Sequence, residues 1–336
     1  MGNTLPETPP GLRTPAAAPA LPAGAEALTG TRLAEPAGPL LLTPLPRPPE
    51  AANFNRIQTP TTERLNAIEK PLLICGDALN GLDILPDESV QTVVTSPPYW
   101  SLRDYQVEHQ IGCAESLGDY VDSIVSVFGK LRRVLRSDGT VWLNVGDAYT
   151  SGNRRYRAPD RKNRVRKMNV RPPTPDGLKP KDLIGVPWRI AFALQDAGWW
   201  LRSEIIWAKP NAHPESVRDR PTKAHETVFL VSKSQDYFYD VEAVRGPNRR
   251  RLRTVWEIPT EPQQANGSAA GHPAVMPLAI VHRCLAITSR EDSVVLDPYA
   301  GSGTTLVAAR NLGRKWIGID LNPAYVDLMA RRLAVT

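Results

Sequence analysis

Cysteine is scarce in this chain of 336 residues: Cys75, Cys113 and Cys284 are too few and too far apart for a C-x-x-C pair or a disulfide framework. A reducing compartment fits them. The five histidines are as sparse, with no H-E-x-x-H arrangement, and His225-Glu226 lacks the second histidine of a zinc helix, so no metal site is expected. No apolar run approaches the ~18 to 20 residues that cross a bilayer. Met1 to Pro10 is neutral to acidic and broken by proline, unlike a secretory leader, and Pro6 stands where a myristoylation signal wants Ser or Thr. A cytoplasmic address is expected. The first 50 residues hold no aromatic side chain, against 12 prolines and 9 alanines, and cannot build a core that offsets chain entropy. Residues 1–65 are therefore expected to form a disordered tail.

The chain as a whole is 41% hydrophobic and 23% charged, ordinary values for a globular protein. Leu72 to Cys75 is a short apolar run closed by Gly76-Asp77, and Ser89 to Thr95 is β-branched and stops at two prolines; both read as buried strands. Val121, Ile124, Val125, Phe128, Leu131, Val134 and Leu135 recur at helical spacing, and Ser137-Asp138-Gly139 turns into a strand over Thr140 to Val145. A further helix is predicted over Ile184 to Ala197, then strands over Ser203 to Trp207 and Thr227 to Ser232. The C-terminal part repeats the rhythm: helix Ala279 to Thr288, strand Ser293 to Leu296, helix Thr304 to Leu312, strand Trp316 to Asp320, helix Ala324 to Leu333. Strands alternating with amphipathic helices predict an α/β fold, one mostly parallel sheet with helices on both faces. The divisions are 66–207 with a basic loop at 151–175, 208–275 with little periodicity, and 276–336.

Two motifs carry chemistry. In Asp297-Pro298-Tyr299-Ala300-Gly301-Ser302-Gly303, a buried strand delivers an acid into a glycine turn that opens a helix, where backbone amides approach a ligand closely. Asp320 closes the next strand, about where the acid that holds ribose hydroxyls stands in dinucleotide folds, ~20 residues on. Leu306 occupies the third-glycine position of a dinucleotide loop, and no G-K-[ST] follows the glycines, which disfavours NAD and a P-loop. S-adenosylmethionine has no phosphate, and its amino acid end and ribose suit two acids and backbone amides. The second motif is Ser96-Pro97-Pro98-Tyr99, at the end of a predicted strand, whose prolines hold the Ser96 hydroxyl, nearby carbonyls and Tyr99 ring in one geometry.

The two motifs together resemble the exocyclic-amino DNA methyltransferases, which make N4-methylcytosine or N6-methyladenine from S-adenosylmethionine. The serine-proline motif precedes the glycine motif, as in the circularly permuted β group, and the likeness covers roughly residues 70 to 334. It implies a Rossmann-like methyltransferase fold in two halves, catalytic over 66–207 and cofactor-binding over 276–336, with target recognition over 208–275. It also implies that Gly76-Asp77 lies near the cofactor's adenine, and that His272-Pro273 and Pro277, opening a helix, contact its methionine end. In such enzymes the target nucleotide swings out of the duplex. Tyr99 would stack on the base, while Ser96 and the Pro97 carbonyl accept its amino hydrogens. Serine at the first motif position, where adenine enzymes more often carry Asp or Asn, resembles the N4-cytosine branch. Cytosine C5 chemistry would need a nucleophilic cysteine after proline, and none of the three cysteines follows one.

Duplex DNA is the expected partner. Residues 151–171 hold nine Arg or Lys (among them Arg154, Arg155, Arg157, Arg161, Lys162 and Arg164) against Asp160, and a second cluster adds Arg245, Arg249, Arg250, Arg251 and Arg253. The chain carries +6 in all, so the remainder is net negative, and charge gathered this way suits a phosphate-tracking surface. The alternatives are an adenine-N6 enzyme, a DNA-binding regulator that has lost catalysis, and an RNA or small-molecule methyltransferase. A cognate restriction endonuclease would be a natural partner; the oligomeric state is not legible.

Overall fold

The computed structural model describes residues 54–59, 63–102, 107–113, 115–150, 172–245, 250–261 and 276–334. Nine strands among them form one sheet in the order β1-β2-β9-β8-β3-β4-β6-β5-β7. In chain order the elements are β1 (Asn55–Gln58), β2 (Leu72–Cys75), α1 (Ala78–Asp83), β3 (Val90–Thr95), α2 (Leu117–Val134), β4 (Leu135–Val145) and α3 (Val186–Asp196). There follow β5 (Trp200–Ala208), β6 (His225–Ser232), β7 (Val255–Glu257), α4 (Leu278–Thr288), β8 (Val294–Asp297), α5 (Thr304–Asn311), β9 (Lys315–Asp320) and α6 (Pro323–Ala334). All pairings are parallel except those that β6 makes with β4 and β5.

The two-residue period of the strands divides the core into two layers. Leu72, Ile74, Val93, Val141 and Leu143 pack under α1, α2 and α3, while Leu73, Cys75, Val94, Trp142 and Val295 pack under α4, α5 and α6. Helix α2 begins where the Ser116 hydroxyl accepts from the Asp119 amide at 3.1 Å, and it turns Tyr120, Ile124, Phe128 and Leu131 inward at helical spacing. It ends on Arg132 and Arg133, whose charge suits the negative end of the helix dipole.

From β8 the chain crosses through α5 to β9 on one side, and from β3 it crosses through α2 to β4 on the other. The sheet therefore reverses direction of winding between β8 and β3. In open α/β sheets such a point leaves a crevice at the carboxyl ends of the strands.

Two expectations need correction. The tail assigned to residues 1–65 extends too far, because β1 pairs with β2 in register Asn55↔Leu72, and Phe54 packs its ring 5.6 Å from that of Trp316. The stretch 208–275, read as poor in structure beyond the β6 segment, also supplies β7, which adds to the outer side of β5. The adjacent tryptophans part at the start of β5: Trp199 is 3% exposed, and Trp200, the first residue of the strand, is 43% exposed.

Candidate active site

The carboxyl edge of the sheet carries, in order across the strands, Asp77 after β2, Asp320 on β9, Asp297 on β8 and Ser96 after β3. Asn144 near the end of β4, Glu226 at the antiparallel start of β6 and Lys209 after β5 complete the row. With adjacent strands ~4.8 Å apart, Asp320 and Ser96 stand on backbones about 10 Å apart. The two predicted motifs thus meet.

Asp297 fastens them. Its Oδ1 accepts from Thr95 Oγ1 at 2.7 Å, across 202 residues of sequence, and from the Tyr299 amide at 3.1 Å. Its Oδ2 accepts from Thr305 Oγ1 at 2.8 Å, a hydroxyl that also lies 3.1 Å from the Val94 carbonyl. The carboxyl is buried, and burial pushes its pKa up to about 6 against the pull of the Thr95, Thr305 and Tyr299 donors. Asp320 organises the neighbouring turn: Oδ2 accepts from the Gly301 amide at 2.8 Å and Oδ1 from the Asn322 amide at 2.8 Å. Burial raises it to about 6 as well, with the Asp297 charge adding to the rise. Gly303 turns into α5 at φ 79°, and a Cβ there would stand 2.8 Å from Met329 Cγ. Ser302 is buried in this turn. Asp77 caps α1, accepting from the Leu79 amide at 2.8 Å, and the Gly76 amide donates to the Asp320 carbonyl at 2.9 Å. Pro277 caps α4, far in sequence from the glycine turn.

Three buried polar atoms near these strand ends have no partner among the described residues: Tyr299 Oη, Thr304 Oγ1 and Asn144 Oδ1. Buried polar groups are rarely left unpaired in a folded protein, and these suit a polar ligand lying along the edge.

The raised acids give a pH signature. Their folded pKa values lie above the ordinary aspartate value, so the stability they contribute is present at low pH and lost as pH rises from near 4 through about 6. A ligand that pairs with the ionised carboxyls has the opposite preference, and its affinity is expected to weaken at least about tenfold from pH 7 to pH 5. Thermal unfolding with and without ligand across this range checks both signs, since the ligand-induced rise in Tm should grow with pH.

The serine-proline loop is held from three sides. Tyr120 Oη donates to the Pro98 carbonyl at 2.9 Å, tying the loop to α2. Ser96 Oγ donates to Tyr99 Oη at 3.1 Å, and Tyr99 Oη donates to Glu226 Oε2 at 2.6 Å. Asn144 Nδ2 lies 2.9 Å from both Tyr99 Oη and Glu226 Oε2, and Lys209 Nζ is paired with Glu226 Oε1 while lying 4.2 Å from the Trp207 ring centre. The Tyr99 ring is seated on Gly146, where a Cβ would stand 2.5 Å from Tyr99 Cε2. Gly146→Ala must therefore displace a ring whose hydroxyl is already anchored. Turnover is expected to fall at least about tenfold, with the melting temperature lowered by only a few degrees, as single-turnover kinetics and thermal scans would measure.

Sequence reasoning missed Glu226, Asn144, Lys209 and Tyr120. In sequence His225-Glu226 reads only as half of a metal motif, and no local signal ties Glu226 to a tyrosine 127 residues away. The chain leaves the described residues at Thr150 and returns at Pro172, and Trp100, Ser101, Thr150, Pro172 and Pro173 line one small cleft. Both flanks of the basic segment therefore lie beside the serine-proline loop. Arg154, Arg155, Arg157, Arg161, Lys162 and Arg164, with Arg249, His272 and Pro273, lie outside the described residues. Arg250 and Arg251 are exposed but are not brought to the site: they enter β7 from its amino end, and Arg251 acts electrostatically on Tyr239, beyond the amino-edge exit of β6. Their grouping with the basic loop rests on composition, which carries no direction along the sheet.

A family model described as DNA methylase matches residues 90–331. The Type II methyltransferase M.Cfr9I of Citrobacter freundii is 52% identical over 262 residues, covering 77% of this chain and 86% of the relative. M.SmaI of Serratia marcescens is 51% identical over 267 residues, covering 78% and 90%. Among solved structures, the PvuII DNA methyltransferase (cytosine-N4-specific) superposes with a TM-score of 0.59 at 22% identity, over 79% of this chain and 86% of that one, a likeness of fold. A Thermus thermophilus protein solved with S-adenosyl-L-methionine superposes with a TM-score of 0.54 at 26% identity, over 78% and 92%.

Proposed function

The chain belongs to the N6/N4 DNA methylase family, and from that premise we propose that it methylates the N4 amino group of cytosine at a specific site in duplex DNA, with S-adenosylmethionine as donor. The observation that supports the reading most is the Asp297 clasp, which holds the end of the strand before Ser96 against the glycine turn.

The residues present fit the cofactor. Asp77 and Asp320 flank one another at adjacent strand ends and suit its adenosine part; Asp297, Tyr299, Gly301, Ser302, Gly303 and Pro277 suit its methionine end. The unpartnered Tyr299 and Thr304 hydroxyls are further groups for it to satisfy. Bound there, the cofactor supplies an electrophilic methyl group. Across the crevice, Ser96 Oγ and the Pro97 carbonyl accept the two amino hydrogens of the flipped base, which draws the nitrogen lone pair out of ring conjugation and aims it. Tyr99 stacks on that base, its hydroxyl held so that the ring cannot swing. Positioning and fixed dipoles supply most of the rate, and no basic side chain has to act on the nitrogen. The basic segment 151–171, whose flanks open beside Ser96, carries phosphates of the duplex.

Serine rather than an acid or amide at position 96 supports cytosine over adenine. Nucleosides released from treated duplex DNA and separated by chromatography test this: N4-methylcytosine is the expected product, and N6-methyladenine would overturn the base assignment while leaving the family intact. Because the similar curated proteins are Type II methyltransferases, DNA from cells expressing this chain is expected to resist an endonuclease that cuts the same sequence.

A further inference from the structure

We propose that Glu226 is a positioning residue that sets the direction of a hydrogen-bond chain through Tyr99 to Ser96, so that Ser96 meets the target amino group as an acceptor only. The inference rests on the reading that an exocyclic amino group is the substrate.

The argument is a count of protons. An ionised carboxylate only accepts, and each hydroxyl has one proton to give. Glu226 Oε2 lies 2.6 Å from Tyr99 Oη, so the phenol gives its proton there. Tyr99 Oη is then left to accept, and it does so from Asn144 Nδ2 at 2.9 Å and Ser96 Oγ at 3.1 Å. With its proton spent on Tyr99, Ser96 Oγ presents only lone pairs to the crevice. A serine hydroxyl is otherwise free to rotate and to compete as a donor for the nitrogen lone pair that must attack. Glu226 removes that freedom from two hydrogen bonds away.

The surroundings keep Glu226 in the form the chain needs. Burial favours its neutral acid, but the Lys209 ammonium and hydrogen bonds from Lys209, Tyr99 and Asn144 outweigh this and hold it below the ordinary glutamate range. Lys223, from the segment entering β6, adds a second cation: it faces Asp147 at 3.8 Å and is itself electrostatically coupled to Glu226. Glu226 touches neither motif by sequence, and its part in the site comes only from the antiparallel β6, which brings its first residues to the carboxyl edge.

The test is Glu226→Gln, which keeps shape but adds a donor. The glutamine amide can donate to Tyr99 Oη, releasing the phenol proton toward Ser96 and turning the chain around. Turnover is expected to fall about 10- to 100-fold, with the KM for duplex DNA and the cofactor Kd nearly unchanged, while the melting temperature drops because Lys209 loses its ionic partner. Tyr99→Phe removes the relay and retains the ring, and the double variant is expected to be no slower than the slower single one, as for residues that act as a unit. Wild-type turnover in Glu226→Gln, multiplicative losses in the double variant, or a parallel loss of cofactor affinity would each overturn the proposal. If the wild-type enzyme forms no methylated amino base, it is the functional reading that fails, and the two failures are distinguishable in one set of assays.

Discussion

Asp297→Ala is expected to abolish measurable cofactor binding and to cost about 3 kcal/mol of stability at pH 5. The carboxyl occupies the switch point with three donors on its two oxygens, and Ala leaves the Thr95 and Thr305 hydroxyls buried without it. Those two threonines stand directly before Ser96 and in the first turn of α5, so both motifs lose their common anchor. The stability loss carries a pH signature of its own. In the wild type the ionised carboxyl is disfavoured by burial, with its pKa pushed up to about 6, so the native protein loses stability on passing to pH 8, and the alanine variant keeps only the smaller loss that comes from Asp320. The stability gap between the two should narrow by about 1 to 3 kcal/mol between pH 5 and pH 8. Asp297→Asn separates the roles: an amide keeps an acceptor for one threonine and most of the fold, while it removes the charge a cationic ligand wants. Titration calorimetry and denaturant unfolding of the two variants check this, and full cofactor affinity in Asp297→Ala would show that the acid fastens the sheet and nothing more.

What was legible in sequence, and what was not, follows from where each signal lives. The buried strands announced themselves because a strand covered on both faces is buried at every position: β2 is apolar throughout, and β3 is β-branched at five of its six positions. The outer strands β1 and β7 are only three to four residues long, with no buried position in β1 and only Trp256 buried in β7, so Asn55–Gln58 and Val255–Glu257 look like loop until a neighbour is there to pair with them. Asp297, Asp320 and Ser96 were visible because chemistry at a strand end needs particular residue types next to glycine or proline, which is local information. Glu226, Lys209 and Asn144 were not: Glu226 reaches the edge only because β6 runs antiparallel, and Asn144 and Lys209 stand at ordinary strand ends outside both motifs, so none shows its role until the pairing is known. Charge clusters were countable, but only strand polarity tells that Arg250 and Arg251 enter the sheet from its amino edge.

Ser96→Ala is expected to give the opposite pattern to Asp297→Ala, a fall in turnover of about 10² to 10³ with cofactor affinity unchanged within about twofold. Ser96 makes no contact with the Asp297 clasp; its hydroxyl faces Tyr99, and the strand end beneath it stays fastened through Thr95 when the side chain is cut back. The variant therefore removes one preorganised acceptor and leaves the Pro97 carbonyl, whose backbone is fixed by two prolines and by Tyr120. One acceptor of two can still bind the base but no longer holds the amino plane turned toward the methyl group, and such a loss appears in the chemical step rather than in binding. Tyr99→Ala should be slower still, because it removes the stacking surface and cuts the chain from Glu226 to Ser96 at once. Single-turnover methyl transfer together with cofactor titration reads both quantities on the same preparations. Equal loss of cofactor affinity in the Ser96 and Asp297 variants would mean that the loop and the glycine turn form one binding unit, and the division of labour across the switch point would be wrong.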